Sequence, residues 1–588
     1  MYTELKVYQM IISMLKNYNI KNCVLSAGSR NVPFVHSVEK DSFFNCYSVV
    51  DERSAGYYAL GLAQEQKTPV VISCTASTAS CNYYPAVAEA FYQNVPLIIL
   101  TSDRNPTMLG QREDQMIDQV GMFDRHVKKS INLPIIHDEE DEYYCERLLN
   151  EAFLEMTHHI PGPIHINIPM KSYNNSFNIK ELPYVKKINR LDLETDEKEW
   201  YKKIDELKNA KRIMLICGQK EYVSEKLQDE IKSFFNKYNC VVIIDHMSNI
   251  DFEKGINPTV GFDSKYITSK KMKELLPDLV ISFGGQVFSG IKPELRKFYK
   301  EVKHWSIQPD GKVVDLFKSL DTIFECSEEK FFEIINKSEN VKNNMNYYNI
   351  INEYINNIKY PDFDYCHIYA IKNVVESIPE NSILHLSIND SVRVSNFFKI
   401  KKNINVSANI GTYGIDGPIS TFIGHSVMSK KQAFLIVGDL AFFYDMNALR
   451  LNSIKNNMHI LLINNHGGSE FYYNGTWLDK YSDLHTTARH ETQAEGWALS
   501  NNFKYLRASN KEEFDNQIKE FMSQGDKPSL FEVITEMSTD AENIEKFYNL
   551  SRPRDLKSEL IRNSKKIIKN TIGQEKAEKI AKRIGIKK

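Results

Sequence analysis

The chain has 588 residues, too many for one ordinary domain, and at roughly 100–200 residues per domain it holds about three. A composition of 42% hydrophobic and 26% charged residues is that of a soluble globular protein, and a formal net charge of -2 offers no basic field for nucleic acid. No apolar run of about 18 residues occurs, which excludes a membrane-spanning helix, and Met1–Tyr18 mixes polar and apolar residues at helical spacing without the apolar core of a secretory signal. A cytoplasmic location is expected. The nine cysteines, Cys23, Cys46, Cys74, Cys81, Cys145, Cys217, Cys240, Cys326 and Cys366, include no C-x-x-C pair and are expected to be buried reduced thiols. No histidine–cysteine cluster points to zinc.

Three regions repeat one pattern, a short apolar strand, a loop of small or polar residues and an amphipathic helix, which predicts an α/β fold of three Rossmann-like domains with parallel sheets. In the first region the predicted strands are Cys23–Ala27, Phe44–Val50, Pro69–Cys74, Pro96–Thr101 and Ile164–Ile168, with helices over Ser54–Glu65 and Ala79–Tyr92. A polar linker is expected around Val185–Glu199. The second region carries strands over Arg212–Cys217, Cys240–Asp245, Leu279–Phe283 and His304–Ile307. The third begins near Asp362, after the Asn-rich stretch Asn340–Asn357, with strands over Ile383–Leu386, Asn405–Ala408, Ala433–Val437, His459–Ile463 and Leu530–Ile534. The expected domains are 1–185, 186–345 and 346–550. The tail 551–588 has 13 Lys/Arg against 4 Asp/Glu, with Ile567, Ile568, Ile572, Ile580 and Ile584 near helical spacing. It reads as a solvated or partner-docked helix pair, or as a weak contact with an anionic membrane surface.

Ligands of such sheets bind at the carboxyl ends of strands, so the loops after strands matter most. Strand Ala433–Val437 runs into Gly438-Asp439, and the next strand runs into Asn464-Asn465-His466-Gly467-Gly468. Asp439 and Asn465 stand 26 residues apart, the length of one strand-helix-strand unit. Either pair alone is an ordinary turn former. Together they offer a carboxylate, an amide oxygen and, at Gly467, a main-chain carbonyl, the hard oxygen ligands that Mg2+ shares with a diphosphate. In the first region Glu52 follows strand Phe44–Val50 and opens a helix, where Asp51 suits the helix N-terminus. Glu52 is the candidate for an activating carboxylate. Among the histidines, His36, His425, His466 and His485 are candidate proton shuttles, His466 the best placed of them.

These residues resemble the thiamine-diphosphate-dependent enzyme superfamily, whose motif is G-D followed by N-N about one strand-helix-strand unit later. Over about residues 1–550 the chain is most similar to the 2-succinyl-5-enolpyruvyl-6-hydroxy-3-cyclohexene-1-carboxylate (SEPHCHC) synthases of menaquinone biosynthesis. The matching segments are Gly28-Ser29-Arg30, Asp51-Glu52-Arg53, Tyr84-Pro85-Ala86, Thr101 to Arg104, Gly121-Met122-Phe123, Gly414 to Gly417, Gly438-Asp439-Leu440, Tyr444 to Leu449 and Asn464 to Gly468. The resemblance implies a pyrimidine-binding, a central and a diphosphate-binding domain. It implies thiamine diphosphate with Mg2+ or Mn2+, held by Asp439, Asn465 and Gly467, and cofactor contacts from Glu52, Gly414, Ile415, Gly438, Asp439, Leu440, Asn465 and Phe471. Ile415 would bend the cofactor into its reactive shape, and Glu52 would hydrogen-bond its pyrimidine ring as the catalytic carboxylate. Ser29, Arg30, Arg104, Gln115 and Arg393 would line the substrate side, where arginines suit carboxylates.

The implied activity is 2-oxo acid decarboxylation and carboligation, with 2-oxoglutarate as donor and isochorismate as acceptor. The implied assembly is a homodimer or homotetramer with inter-subunit active sites. Four positions depart from the family: Ile410 replaces an arginine, Gly290 a lysine (Lys292 lies two residues on), Asn389 a serine and Glu470 an apolar residue. Two alternatives therefore stay open: the same chemistry on another donor and acceptor, such as a surface-polysaccharide precursor, and simple non-oxidative decarboxylation. The central region has no strong G-x-G-x-x-G run, and FAD is not expected.

Overall fold

The computed structural model describes residues 1–192, 196–337, 343–473 and 483–551. The basic tail anticipated after that point lies outside the described residues. The strands form three parallel sheets interleaved with helices, the α/β class expected. By contact density the chain divides into two compact units, Met1–Glu197 with Pro309–Glu325, and Lys198–Gln308 with Cys326 onward.

The first unit holds β1 (Asn22–Leu25), β2 (Asn45–Ser48), β3 (Val70–Cys74), β4 (Leu97–Asp103), β5 (Lys129–Asn132) and β6 (Ile164–Pro169), in the order β2-β1-β3-β4-β6-β5. Every residue of β3, β4 and β6 is buried, as continuous apolar runs require when helices cover both faces of a parallel sheet. On one face the helices Lys6–Asn17 and Glu139–Met156 pack through Ile11, Leu15, Leu149 and Phe153; on the other, the helix Glu52–Gln66 packs through Ala55, Ala59 and Ala63. The same unit pairs β7 (Asn189–Asp192) with β12 (Leu320–Glu325) in parallel.

The second unit holds β8 (Ile213–Cys217), β9 (Cys240–Ile244), β10 (Leu279–Phe283) and β11 (Lys303–Ile307) in the order β11-β10-β8-β9. It also holds β13 (Ile383–Leu386), β14 (Asn405–Ala408), β15 (Ala433–Gly438), β16 (Met458–Asn464), β17 (Lys504–Ala508) and β18 (Ser529–Ile534), ordered β14-β13-β15-β16-β18-β17. Renumbered from its own first strand, this sheet has the order of β1–β6. The likeness of pattern between the first and third regions is thus a likeness of topology.

Several local expectations change. The polar linker around Val185–Glu199 contains β7, a short strand paired with β12. The Asn-rich stretch before the third region includes a helix, Asn346–Asn356, which buries Tyr347, Ile351 and Tyr354 on one face. The single helix expected over Ala79–Tyr92 is two, Thr78–Asn82 and Tyr84–Tyr92, the second with Pro85 in its first turn, where proline lacks the N–H that a continuous helix would use. All nine cysteines are unpaired, but Cys46 and Cys81 are exposed rather than buried: Cys46 lies on β2, an edge strand that is mostly exposed, and Cys81 in a single turn of helix. Among the described residues no helix is long and apolar enough to cross a membrane.

Candidate active site

In an open parallel sheet the crevice forms where strand order reverses. In the third sheet that point lies between β13 and β15. The loops after these strands, with the loop after β16, enclose a pocket of about 260 Å³. Ile415, Gly438, Asp439, Leu440, Asn465, Gly467 and Phe471 all line it. Seven of the residues expected to meet the cofactor or its metal therefore converge on one cavity. Gly414 lies beside Ile415 in sequence but does not line it.

Asp439 is 2% exposed and fixed at both oxygens. Its Oδ1 accepts the Leu440 N–H at 2.6 Å, its Oδ2 accepts the Gly467 N–H at 2.9 Å, and His490 Nε2 stands 3.4 Å from Oδ2. Asn465, also buried, donates Nδ2 to Asp540 Oδ2 at 2.9 Å, which leaves its Oδ1 as the atom to offer a ligand. Gly467 adopts φ +148°, and a Cβ there would meet the Thr487 carbonyl at 2.7 Å, so only glycine lets the loop turn at this point. A carboxylate, an amide oxygen and main-chain carbonyls around one cavity are the donor set that Mg2+ or Mn2+ takes. The residues present fit such an ion.

Sequence reasoning missed the layer behind these groups. Asp540 is fully buried and accepts from Thr535 Oγ1 at 2.7 Å and from the His367 N–H at 2.9 Å, and His367 Nδ1 lies 3.0 Å from its Oδ1. His367 Nε2 lies 3.5 Å from Asp390 Oδ2. Burial works against a charged His367, but the Asp540 and Asp390 carboxylates together outweigh it and hold the imidazole above its ordinary value. No local pattern announces this pair, because its members stand 173 residues apart.

Two of the four expected departures from the family lie in the same pocket. Asn389 and Glu470 both line it, as does Asp390. Burial raises the Glu470 carboxyl and Asp390 adds to this, while Arg393 and Asn389 pull it down. Arg393 is partly buried, 5.8 Å from the Tyr473 ring centroid, and its charge is favoured by Tyr473 and Asp390 against the cost of burial. Asn389 itself has φ +56°, an uncommon conformation for a non-glycine residue and one that clusters at ligand sites.

Gly290 has no room for a side chain, since a Cβ would stand 2.6 Å from Asp263 Cα. Burial and Arg296 lower the Lys292 ammonium. Lys265, which nothing in its sequence context marks, lies 4.6 Å from the centroid of the Tyr473 ring that Arg393 also faces. Ile410 is buried and does not line the pocket.

In the first unit Glu52 is the first residue of the helix Glu52–Gln66, capped by Asp51, which accepts from the Arg53 and Ser54 N–H groups at 2.9 and 3.2 Å. Its Oε2 is 3.5 Å from Asn82 Nδ2. The carboxylate also adds to the rise that burial imposes on the Cys74 thiol. Arg30, Gln115 and Arg104 gather after β1 and β4. Arg30 is 7% exposed, donates to Gln115 Oε1 at 3.0 Å and lies over the Tyr173 ring. Arg104 holds Glu113 at 2.5 Å. Burial depresses Arg30, and the Arg104 charge adds to this. Ser29 is exposed beside them. Gly28 before it is needed for close approach, since a Cβ would lie 2.4 Å from Thr75 Cβ.

The other histidines expected as shuttles do not line the pocket: His36 packs on Phe177, His425 meets Ser407 at 3.1 Å, His466 turns to the His490 carbonyl at 3.2 Å, and His485 lies on the short helix Asp483–Thr486.

Comparison with known proteins identifies the family. A family model described as thiamine pyrophosphate enzyme, N-terminal TPP binding domain, matches residues 5–122. The chain is 36% identical to 2-succinyl-5-enolpyruvyl-6-hydroxy-3-cyclohexene-1-carboxylate synthase of Bacteroides thetaiotaomicron, over 93% of this chain and 99% of that one. It is 36% identical to the synthase of the same name from Bacteroides fragilis, over 93% and 99%, and 32% identical to that of Flavobacterium johnsoniae, over 91% and 97%. Likeness of this degree along nearly the whole length of both chains means that this protein belongs to the 2-succinyl-5-enolpyruvyl-6-hydroxy-3-cyclohexene-1-carboxylate synthase family of thiamine-pyrophosphate enzymes.

Proposed function

We propose that this enzyme decarboxylates 2-oxoglutarate and joins the remaining four-carbon unit to isochorismate, the reaction of a SEPHCHC synthase. The observation that carries the reading is the convergence of Asp439, Asn465 and Gly467 on one pocket at the switch point of the third sheet. In this reading Asp439, the Asn465 amide oxygen and the Gly467 carbonyl hold Mg2+ or Mn2+, and Gly438, Leu440, Ile415 and Phe471 surround the cofactor. Thiamine diphosphate, when bound, supplies the carbanion stabilisation that 2-oxo acid decarboxylation needs. Glu52 holds a proton at the cofactor's pyrimidine ring. Arg30 and Arg104, with Ser29 and Gln115, bind substrate carboxylate by paired N–H donors. Arg393 fixes charge on the pocket side.

The reading carries a pyrimidine-binding domain at 1–185, a central domain at 186–345 and a diphosphate-binding domain at 346–550, in a cytoplasmic enzyme. It also carries a homodimer or homotetramer with sites shared between subunits. Exposed Val50, Tyr57, Tyr58 and Tyr92 on and around the Glu52 helix support this, because aromatic side chains concentrate at protein interfaces.

A second reading keeps the chemistry and changes the substrates. Glu470 beside Asp390 supports it, since an extra carboxyl in the pocket opposes a carboxylate-bearing substrate. Mass-spectrometric product analysis with thiamine diphosphate, Mg2+ and a panel of 2-oxo acids, with and without isochorismate, separates the two. Ligated product from 2-oxoglutarate and isochorismate supports the first reading. Turnover of a different donor, with 2-oxoglutarate inert, rejects it in favour of the second.

A further inference from the structure

The first unit carries a cluster of metal-ligating side chains made of none of the site residues above. His158 and His159 follow the helix Glu139–Met156. Neighbouring side chains in extended chain point to opposite sides. Here His159 takes φ +57°, a left-handed conformation that a non-glycine residue keeps only where the surroundings impose it. The two imidazoles stack with centroids 3.9 Å apart and turn to one carboxylate, Glu325, at the end of β12. His158 Nε2 is 3.0 Å from both Glu325 oxygens, and His159 Nε2 is 3.3 Å from Oε1. The chain passes over the cluster at Gly311 (φ +65°), where a Cβ would stand 2.5 Å from Glu325 Oε2 and 3.1 Å from His158 Nε2. No other residue fits that position without moving the carboxylate.

We propose that His158, His159 and Glu325 bind one divalent transition metal ion of the zinc class. Ligand atoms held at about 2.0–2.2 Å from a tetrahedral ion stand roughly 3.4 Å from one another. The N···O separations of 3.0 and 3.3 Å lie within tenths of an ångström of this, and the two stacked rings turn relative to one another so that both Nε2 lone pairs meet the ion. Two imidazole donors select zinc, copper or nickel over magnesium, so this site does not compete for the hard cation of Asp439. The His158 and Glu325 side chains are 14% and 9% exposed, while that of His159 is 68% exposed, which leaves the fourth position to water. Because Glu325 lies 167 residues from His158, the ion ties the returning segment Pro309–Glu325 to the end of the helix within its unit. Binding only the folded form, it raises stability by mass action.

The test uses full-length protein stripped with EDTA and titrated with Zn2+ in saturating Mg2+ and thiamine diphosphate. Retained zinc is read by atomic emission, and the melting temperature alongside it. Wild type should retain about one equivalent more than His159→Gln and show a zinc-dependent rise in melting temperature that this variant lacks, while Asp439→Asn keeps both. Equal zinc content and equal shift in wild type and His159→Gln overturn the proposal, as does loss of the signal in Asp439→Asn instead. Co2+ provides a check that needs no variant. An intense visible tetrahedral band in the wild type supports the site, and its absence contradicts it.

Discussion

The amide of Asn465 ends in one donor and one acceptor, and its Nδ2 is committed to Asp540. In the proposed reading this bond aims the oxygen at the ion, as a supporting layer sets a metal ligand. Gly467 shows the same logic in the backbone. Gly467→Ala puts a Cβ 2.7 Å from the Thr487 carbonyl at φ +148°, and we expect it to abolish the stabilisation by Mg2+ and cofactor seen in thermal melts while the apo protein still folds. Asp245 is a different case. It caps a short turn through Ser248 and sits buried, which pushes its carboxyl up to about 7, against hydrogen bonds from Phe288 and Ser248 that pull it down. An unfolded aspartate releases its proton near pH 3.9. Between about pH 4 and 7 the folded chain therefore holds a proton that the unfolded chain has lost, and stability falls as pH rises through this window, by up to about 1.4 kcal/mol per pH unit. Urea unfolding at about pH 5 and pH 8 should show this fall in the wild type and a flatter profile in Asp245→Asn.

At the scale of elements, what the sequence reveals depends on where a strand lies in its sheet. Leu279–Phe283 and Ile383–Leu386 are interior strands, buried throughout, and their apolar runs mark them with the right limits. One unpredicted strand, β12 (Leu-Asp-Thr-Ile-Phe-Glu), is mostly buried, its apolar residues interrupted by Asp321 and Thr322. The others without a clear signal are β5 (Lys-Ser-Ile-Asn) and β17 (Lys-Tyr-Leu-Arg-Ala), each at the edge of its sheet and only partly buried, and β7 (Asn-Arg-Leu-Asp), short and partly buried. Such strands need few apolar residues, so periodicity cannot see them. The same contrast holds at the site. Asp439 and Asn465 are legible because each ends an apolar strand. His367, Asp540 and Lys265 are not, because each sits in an ordinary local context and gains its role only when distant segments meet. The strand β16 that carries the Asn465 loop is buried along its whole length. Leu462→Ala there should cost about 2–5 kcal/mol, read as a lower melting temperature together with weaker Mg2+-dependent cofactor binding.

For the whole molecule, the same strand order in the first and third sheets places candidate groups at the carboxyl ends of two related folds, Glu52 in one and Asp439 in the other. If active sites are shared between subunits, Glu52→Gln and Asp439→Asn should each be inactive alone. Unfolded together and refolded as a mixture, they should regain about a quarter of wild-type activity, because half the dimers are mixed and each mixed dimer carries one intact site. No recovery would show that both groups serve a site within one chain. The most direct measurement is carbon dioxide release from 2-oxoglutarate by wild type and Glu52→Gln, with thiamine diphosphate and Mg2+ present or omitted in turn. Release that needs both additions and drops at least about a hundredfold in Glu52→Gln, with Mg2+-dependent cofactor binding retained, is the predicted result. Release without the cofactor, or unchanged turnover in Glu52→Gln, would contradict the account.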